Sequence, residues 1–489
     1  MTRHQPLDIA VLGAGPIGLT AALLLARDGH HVVVVDADPG PGATDIESWH
    51  RPGVSQFAMP HVLLPRWRHE LASALPDLIA ALRAAGAAPL NTLHQQPDEV
   101  TQGWWPHDEA LDTLAARRRL VEWVLLRQAE ADPRIEVRRP VTVTGLLLSS
   151  DAQPVVTGLR TEQGTLPADL VIDASGRHSR VPGWVLLATG RTAPETRSEA
   201  RITYYCRDFH SPDGPPPRVG AMLTHHPSWS MIGLPADHGR YAIVLATWSG
   251  DAPLRALRDP ARWQAAVRGI PAGAAWLDHG RQVGDVLVHG GGADVVRDYS
   301  PGGQPLLDGL VCLGDARAVT MPLLGRGLTL GTLDALALRD ALRPGVRDRH
   351  DATVAHAEAH RQRLGGLIDA TLWFGRHRAA ELKAEAAGVP YSTDDAGWAM
   401  TTALRLGAEH DPVLARASSR IGGLLATPAE VFADPDVRNR AGRHLGGPAH
   451  LDGPTRADLL SALAGTPPTS PTDGEDLSTQ GVHHVRIRV

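Results

Sequence analysis

Residues 8–36 read DIAVLGAGPIGLTAALLLARDGHHVVVVD, and the fold turns on this stretch. Ile9 to Leu12 is a short apolar run of the kind that forms a buried strand. Gly13, Gly15 and Gly18 follow at G-x-G-x-x-G spacing, with Pro16 and Ile17 between the last two. Leu19 to Arg27 is helix-forming, and Gly29 stops it. Val32 to Val35 is a second buried strand, and Asp36 closes it. Strand, glycine turn, helix and strand in this order make the dinucleotide-binding fingerprint.

Each glycine has a mechanical reason. Gly13 allows the tight turn out of the strand, Gly15 lets backbone approach a pyrophosphate, and Gly18 lets the helix pack close on the sheet. The positive end of the helix then faces the phosphates. Asp36 is placed to accept from a ribose 2′-hydroxyl, which favours FAD or NAD over NADP.

Outward from this unit, the chain of 489 residues is long enough for two or three domains. It is 43% hydrophobic, and its formal net charge of −6 provides no bulk attraction for nucleic acid. Lys383 is the single lysine. Cys206 and Cys312 lie in no CxxC or Cys/His cluster, so neither a zinc site nor a disulfide framework is indicated. No secretory signal precedes the first strand, and AALLLA is too short to span a bilayer, so a soluble cytoplasmic protein is expected.

The loop after Asp36 is rich in Pro and Gly and carries Arg51, Gln56 and His61. Arg51 is either a phosphate partner or a solvated loop residue; His61 is either functional or a satisfied semi-buried histidine. Trp67 to Ala85 reads as a helix broken at Pro76, and Leu111 to Ala131 as a second long helix with Arg117, Arg118 and Arg119 near its start. Leu170 to Ile172 is a buried strand ending at Asp173. Residues 195 to 290 carry period-2 patches such as RITYYCRDF and YAIVLATW, which predict antiparallel strands. Within them Tyr204, Tyr205, Arg207, His225, His226, Trp229 and Met231 are pocket candidates, each with a packing role as the alternative. A late strand, Leu310 to Leu313, leads through Asp315, Pro322, Gly325 and Gly327 into a helix near Leu328, and residues 352 to 465 are mostly helical.

GAGPIG from Gly13, DASGRHSR from Asp173 and GDARAVTMPLLGRG from Gly314 occur in an order that resembles the FAD-dependent monooxygenase superfamily of single-component aromatic hydroxylases. RPGVSQ from Arg51, with His61 after it, is similar to the branch containing polyether-pathway polyene epoxidases. The resemblance covers roughly residues 8 to 345. It implies an α/β fold: a Rossmann-like FAD-binding domain of the glutathione-reductase type, an inserted antiparallel-sheet substrate domain and a helical C-terminal region. The implied boundaries are 1–75, 101–190 and 295–345 for the discontinuous FAD-binding domain, and 76–100 with 191–294 for the substrate domain. A helical region at 346–465 and a flexible tail at 466–489 complete the division.

The resemblance also implies roles. Gly13, Gly15, Pro16, Ile17, Gly18 and Asp36 hold the ADP part of a non-covalent FAD, with Arg51, Gln56 and His61 nearby. The helix-start motif falls on Arg118 to Glu122, so Arg118 touches FAD, or Arg119 if the register slips by one. Asp173 and its turn contact FAD and, in relatives, NAD(P)H. Gly314 and Asp315 hold the ribityl chain. Pro322, Gly325, Arg326 and Gly327 pass along the isoalloxazine, with Leu328 opening the helix near N1. A helix N-terminus there stabilises the negative charge of reduced flavin. Arg326 and Arg317 depart from the family pattern, which has Gln or small residues at these places.

The implied activity inserts one oxygen atom from O2 into an apolar unsaturated or aromatic small molecule through a flavin C4a-(hydro)peroxide. Epoxidation or hydroxylation in natural-product tailoring is expected, with electrons from NAD(P)H or a separate flavin reductase. A dehydrogenase or reductase and a non-catalytic flavin-binding protein are the alternatives. A halogenase is set aside because its active-site lysine has no counterpart: Lys383 lies far along the chain from the substrate strands.

Overall fold

The computed structural model describes residues 6–465 apart from 43–45, 199, 217, 291, 344 and 451–452, so the expected tail at 466–489 lies outside the described residues. The fingerprint forms as read. The strand Asp8–Leu12 and the strand His31–Val35 pair in parallel, with Ile9 opposite Val32 and Val11 opposite Val34. Between them runs the helix Pro16–Arg27; Gly15 is its extended N-cap and Pro16 its first residue, where a missing N–H costs nothing. Leu170–Asp173 and Leu310–Cys312 add on one side and Ile135–Arg138 on the other. The five strands make a parallel sheet. Their β-branched side chains are buried on both faces, as a sheet covered by helices requires.

A second five-stranded sheet is antiparallel, in the order Leu223–His226, Trp229–Pro235, Arg240–Trp248, Ile202–His210, Arg281–Gly290. Its two-residue period sorts the side chains. Tyr205, Phe209, Trp229, Met231, Tyr241, Ile243 and Leu245 face the helices Pro260–Arg268 and Pro271–His279, packing on Trp263 and Trp276. Tyr204, Cys206, Ile232, Leu234 and Val244 face the other way, towards Met321 and Leu323 of the late turn.

One expected helix is shorter than its apolar pattern suggests. Asp112–Ala115 is a strand that pairs with Ala88–Asn91, and the helix runs over Arg118–Ala131. Four residues spent on the hairpin bring the arginine run to the helix start. The C-terminal region opens with one long helix, Arg349–Ala386, followed by Ala396–Gly407, Pro412–Gly422, Pro428–Phe432, Pro435–Gly442 and Arg456–Gly465. Asp348, Asp395, Asp411 and Asp434 cap four of these helices, and Thr427 with Glu430 forms a capping box. Among the described residues no helix is long and apolar enough to cross a membrane.

Candidate flavin site

One cavity runs from the glycine turn to the apolar face of the antiparallel sheet. Gly13, Gly15, Pro16, Ile17, Asp36, Arg51, Gln56, His61 and Arg118 line its first part. Asp315, Pro322, Gly325, Gly327 and Leu328 line the middle, and Tyr204, Cys206, Ile232, Leu234 and Val244 the far wall.

The turn is built by close approach. A Cβ on Gly13, at φ +104°, would stand 2.6 Å from the Ala174 carbonyl oxygen, and one on Gly18 would overlap the Gly13 carbonyl. Gly18 is outside the cavity wall, so its role is packing rather than contact. Gly15 differs. A Cβ there meets only Arg51 Nη1, at 3.9 Å, so the protein itself leaves that space open. An open cradle at a helix N-terminus fits a pyrophosphate.

Behind the cradle lies a buried ionic network. Arg51 spans three carboxylates: Nη2 donates to Asp36 at 2.7 Å, Nε to Asp38 at 3.1 Å and Nη1 to Glu122 at 2.7 Å. Arg51 is therefore neither a solvated loop residue nor a cation free for phosphate. Asp36 also accepts from the Ala14 and Asp38 amides, so its carboxylate is oriented before any ribose arrives. Arg118 closes the chain onto Glu122 at 2.5 Å, an i,i+4 pair on the first turn of its helix. Of the two registers, Arg118 is at the cavity, while Arg119 turns outward to Glu47 and Phe57. His61 donates from Nδ1 to the Met59 carbonyl at 2.8 Å and presents Nε2 to Arg118 at 3.5 Å. Burial, then the Arg118 charge, pushes the His61 pKa down to about 4.

Several expected contacts are corrected. Asp173 does not line the cavity. It is fully buried and accepts from Ser175 N, Ser175 Oγ and Ser179 Oγ, holding the turn whose Ser175, Gly176, Arg177 and His178 do line it. Gly314, at φ +57°, lies off the cavity; a Cβ there would press on Ile17 at 3.1 Å. Arg326 points away from the cavity: it donates to Thr371 Oγ1 at 3.0 Å and to the Ile421 carbonyl at 3.2 Å. Burial lowers its pKa to about 10. A large residue is accommodated between the two glycines because it ties the turn to the C-terminal helices.

Tyr204 alone of the seven pocket candidates lines the cavity; Tyr205, Arg207, Trp229 and Met231 occupy the opposite sheet face, and His226 stacks on Trp229. His225 shares the cavity-side face but is covered, bonded to Ser230 Oγ at 2.8 Å beneath Phe374. Cys206, Ile232, Leu234, Val244 and His289 were not expected at the wall. The period-2 pattern carried the signal for Cys206, two residues from Tyr204, but nothing local brings in His289 from the edge strand. Lys383 is exposed and off the cavity. Its helix nevertheless packs on the sheet, for Arg378 donates to the His226 and Trp229 carbonyls. Distance along the chain was thus a poor guide; exposure keeps Lys383 from the site.

A family model described as FAD binding domain matches residues 100–367, more than half of the chain, and an NAD(P)-binding Rossmann-like domain model matches residues 11–80. The chain belongs to the FAD-dependent monooxygenase superfamily. It is an oxidoreductase with FAD as cofactor and NAD(P)H as electron source. It is 29% identical over 371 residues to Protein Rv3254 of Mycobacterium tuberculosis, covering 69% of this chain and 74% of that one. It is 26% identical over 386 residues to the 3-demethoxyubiquinol 3-hydroxylase of Escherichia coli, covering 75% and 87%. Among solved structures, PqsL of Pseudomonas aeruginosa superposes with a TM-score of 0.57 at 19% identity, over 78% of this chain and 99% of that one. The flavin-dependent brominase Bmp2 superposes with a TM-score of 0.59 at 13% identity, over 89% and 100%. These last likenesses are of fold.

Proposed function

We propose that this monooxygenase inserts one oxygen atom into an apolar small molecule carrying an alkene or an electron-rich ring. The observation that carries the reading is the continuity of the cavity. It begins at the open space over Gly15 and ends on Tyr204, Cys206, Ile232, Leu234 and Val244, a wall with few polar groups. In this reading Gly13, Gly15 and Asp36 hold the ADP part of a non-covalent FAD, Asp315 the ribityl chain, and the Pro322–Leu328 turn the isoalloxazine edge. Bound FAD supplies the oxygen activation.

The chain's own residues orient and exclude. Gly325 and Gly327 bring bare backbone to the cavity, and the helix Gly327–Leu342 aims its N-terminus there, favouring anionic reduced flavin. The apolar wall keeps water from the reacting atoms. Attack on an alkene needs no side-chain acid or base. Hydroxylation of a phenolic ring is aided by an acceptor for the ring proton. His289 is the wall residue suited to this, since burial lowers its pKa and favours the neutral form, and its Nε2 has no hydrogen-bond partner among the described residues. Halogenation fits less well, because the single lysine is exposed and off the cavity.

The test uses the purified chain, NADH or NADPH, 18O2 and two substrate panels, one of apolar alkenes and one of phenols. One 18O atom per product, with substrate-stimulated NAD(P)H oxidation, is the expected result. Substrate-dependent flavin reduction without 18O incorporation would make the protein a dehydrogenase. A His289→Gln variant that loses phenol turnover while keeping alkene turnover separates the two branches.

A further inference from the structure

Away from the cavity, Asp334 on the helix Gly327–Leu342 meets His356 and His360 on the helix Arg349–Ala386. Oδ1 of Asp334 lies 3.0 Å from His356 Nε2 and 2.8 Å from His360 Nδ1. The two histidines, four residues apart, share one face of their helix. All three side chains are buried, with relative exposures of 2%, 2% and 6%.

The charge balance of this cluster is unusual. Among the described residues, Asp334 has no arginine or lysine within ion-pair distance; both its ion-pair partners are histidines. Arg317 reaches the cluster only through space, acting on His356. A buried carboxylate needs a compensating cation, which here is either a protonated histidine or a metal ion held by the histidines.

The three side chains converge, one ligand atom from each lying within 4.8 Å of the others. Ligand atoms set tetrahedrally around a zinc ion, each about 2.1 Å away, stand about 3.4 Å apart. The two Asp334–histidine spacings are hydrogen-bond distances a few tenths of an ångström short of that chord, so a small outward shift of the side chains would admit an ion, and the donor set of two imidazoles and one carboxylate suits a divalent transition ion.

We propose that Asp334, His356 and His360 form a metal site for a divalent ion of the zinc class, which clamps the two helices together. The site lies about two turns, or about 10 Å, beyond Gly327 along the helix, so it takes no part in oxygenation. Its role is to fix the helix whose N-terminus opens on the cavity. A second group, Glu381, Glu385 and His450, is already engaged: Arg378 pairs with Glu381, and Glu385 binds His450 and the Ser228 amide. It serves as the control.

The experiment uses the full-length chain without a histidine tag, dialysed against chelator and titrated with Zn2+ and, separately, Co2+. Expected are one equivalent bound, a visible Co2+ spectrum of imidazole-ligated metal, and a rise in Tm with added Zn2+. His360→Gln should weaken binding about a hundred-fold or more and abolish the spectrum and the Tm rise, with FAD content unchanged. His450→Gln should bind as wild type. Asp334→Asn should behave as His360→Gln; if it does not fold, His360→Gln and His356→Gln carry the test. Absence of stoichiometric binding, binding that survives in both histidine variants, or binding lost in His450→Gln would each overturn the proposal. None of these results bears on the oxygenase reading, which rests on other residues.

Discussion

Gly15 and Gly325 both border the cavity, yet added carbon would meet open space at one and packed protein at the other. Gly15 has extended backbone, φ −83° and ψ −177°, which any residue adopts, and a Cβ there touches only Arg51 at 3.9 Å. Gly325 stands at φ +63°, and a Cβ there would overlap Val62 Cγ1. The space over the first glycine is open, and the second is required by the packing of the fold. Gly325 is expected to pass along the isoalloxazine; it does border the cavity, but an added carbon there meets Val62 first. The late turn is held against the loop that also carries His61, so strain at Gly325 passes to the cavity wall through Val62.

The comparison breaks most visibly at Gly15. Gly15→Val should fold with the thermal stability of the wild-type apo-protein and purify almost free of flavin, because the side chain fills the pyrophosphate space. Absorbance at the flavin band and apo Tm together check this. A variant that loses stability but keeps FAD would show that the open cradle is not the ligand's.

Gly325→Val should show the reverse pattern. A left-handed residue with a Cβ costs about 1–2 kcal/mol before any clash is counted, and overlap with Val62 adds to it. We expect a lowered Tm in the apo form and recovery of part of it when Val62→Ala is combined with Gly325→Ala. Equal stability of the wild type and Gly325→Val would mean that Val62 yields freely.

Asp315→Ala is a smaller lesion. Asp315 borders the cavity beside Gly327, whose added Cβ would lie 3.7 Å from Oδ1. Losing a hydrogen bond from a charged group costs about 1.5–3 kcal/mol, so FAD should bind roughly ten- to a hundred-fold more weakly. Titration of apo-protein measures it, and an unchanged Kd removes Asp315 from the site.

What the sequence made legible was local. The fingerprint is contiguous from Asp8 to Asp36, and each glycine's job follows from its place in the turn, so strand, helix and cradle were readable. The antiparallel sheet was readable for the same reason, as period 2 in RITYYCRDF. Which face of that sheet bears the cavity was not. Tyr204 and Tyr205 are adjacent and chemically alike, and only the helices carrying Trp263 and Trp276 decide that Tyr205 is core and Tyr204 is wall. Side-chain partners far along the chain were equally hidden. Arg51 reaches Glu122 and Arg326 reaches Ile421, so each arginine looked available for a ligand until its protein partner was in place. Asp173 illustrates a third kind of gap: its motif position was right, but its carboxylate holds the turn rather than reaching the cavity.

The smallest expected effect lies where the network meets the loop, at His61. Its Nδ1–H donates to the Met59 carbonyl, which leaves Nε2 as a lone pair facing the Arg118 guanidinium. Burial, and then the second positive charge that protonation would place against that guanidinium, push the pKa down to about 4 from the usual 6.5. The unfolded chain therefore takes up a proton on this residue between about pH 6.5 and pH 4 while the folded chain does not. Stability from this source is present in full above pH 6.5 and is lost as the pH falls through that window. His226, also lowered to about 4 by burial, contributes in the same direction, so His61 accounts for only part of the slope. Glutamine reproduces the neutral ring, with an amide N–H for Met59 and a carbonyl for Arg118. His61→Gln should then match the wild type in denaturant midpoint at pH 7.5 and lose less than the wild type on going to pH 5. Parallel losses in the two proteins would mean that His61 takes up its proton at the same pH in the folded chain as in the unfolded one, so that the network beside the cradle accepts at pH 5 a cation that the geometry of Met59 and Arg118 disfavours.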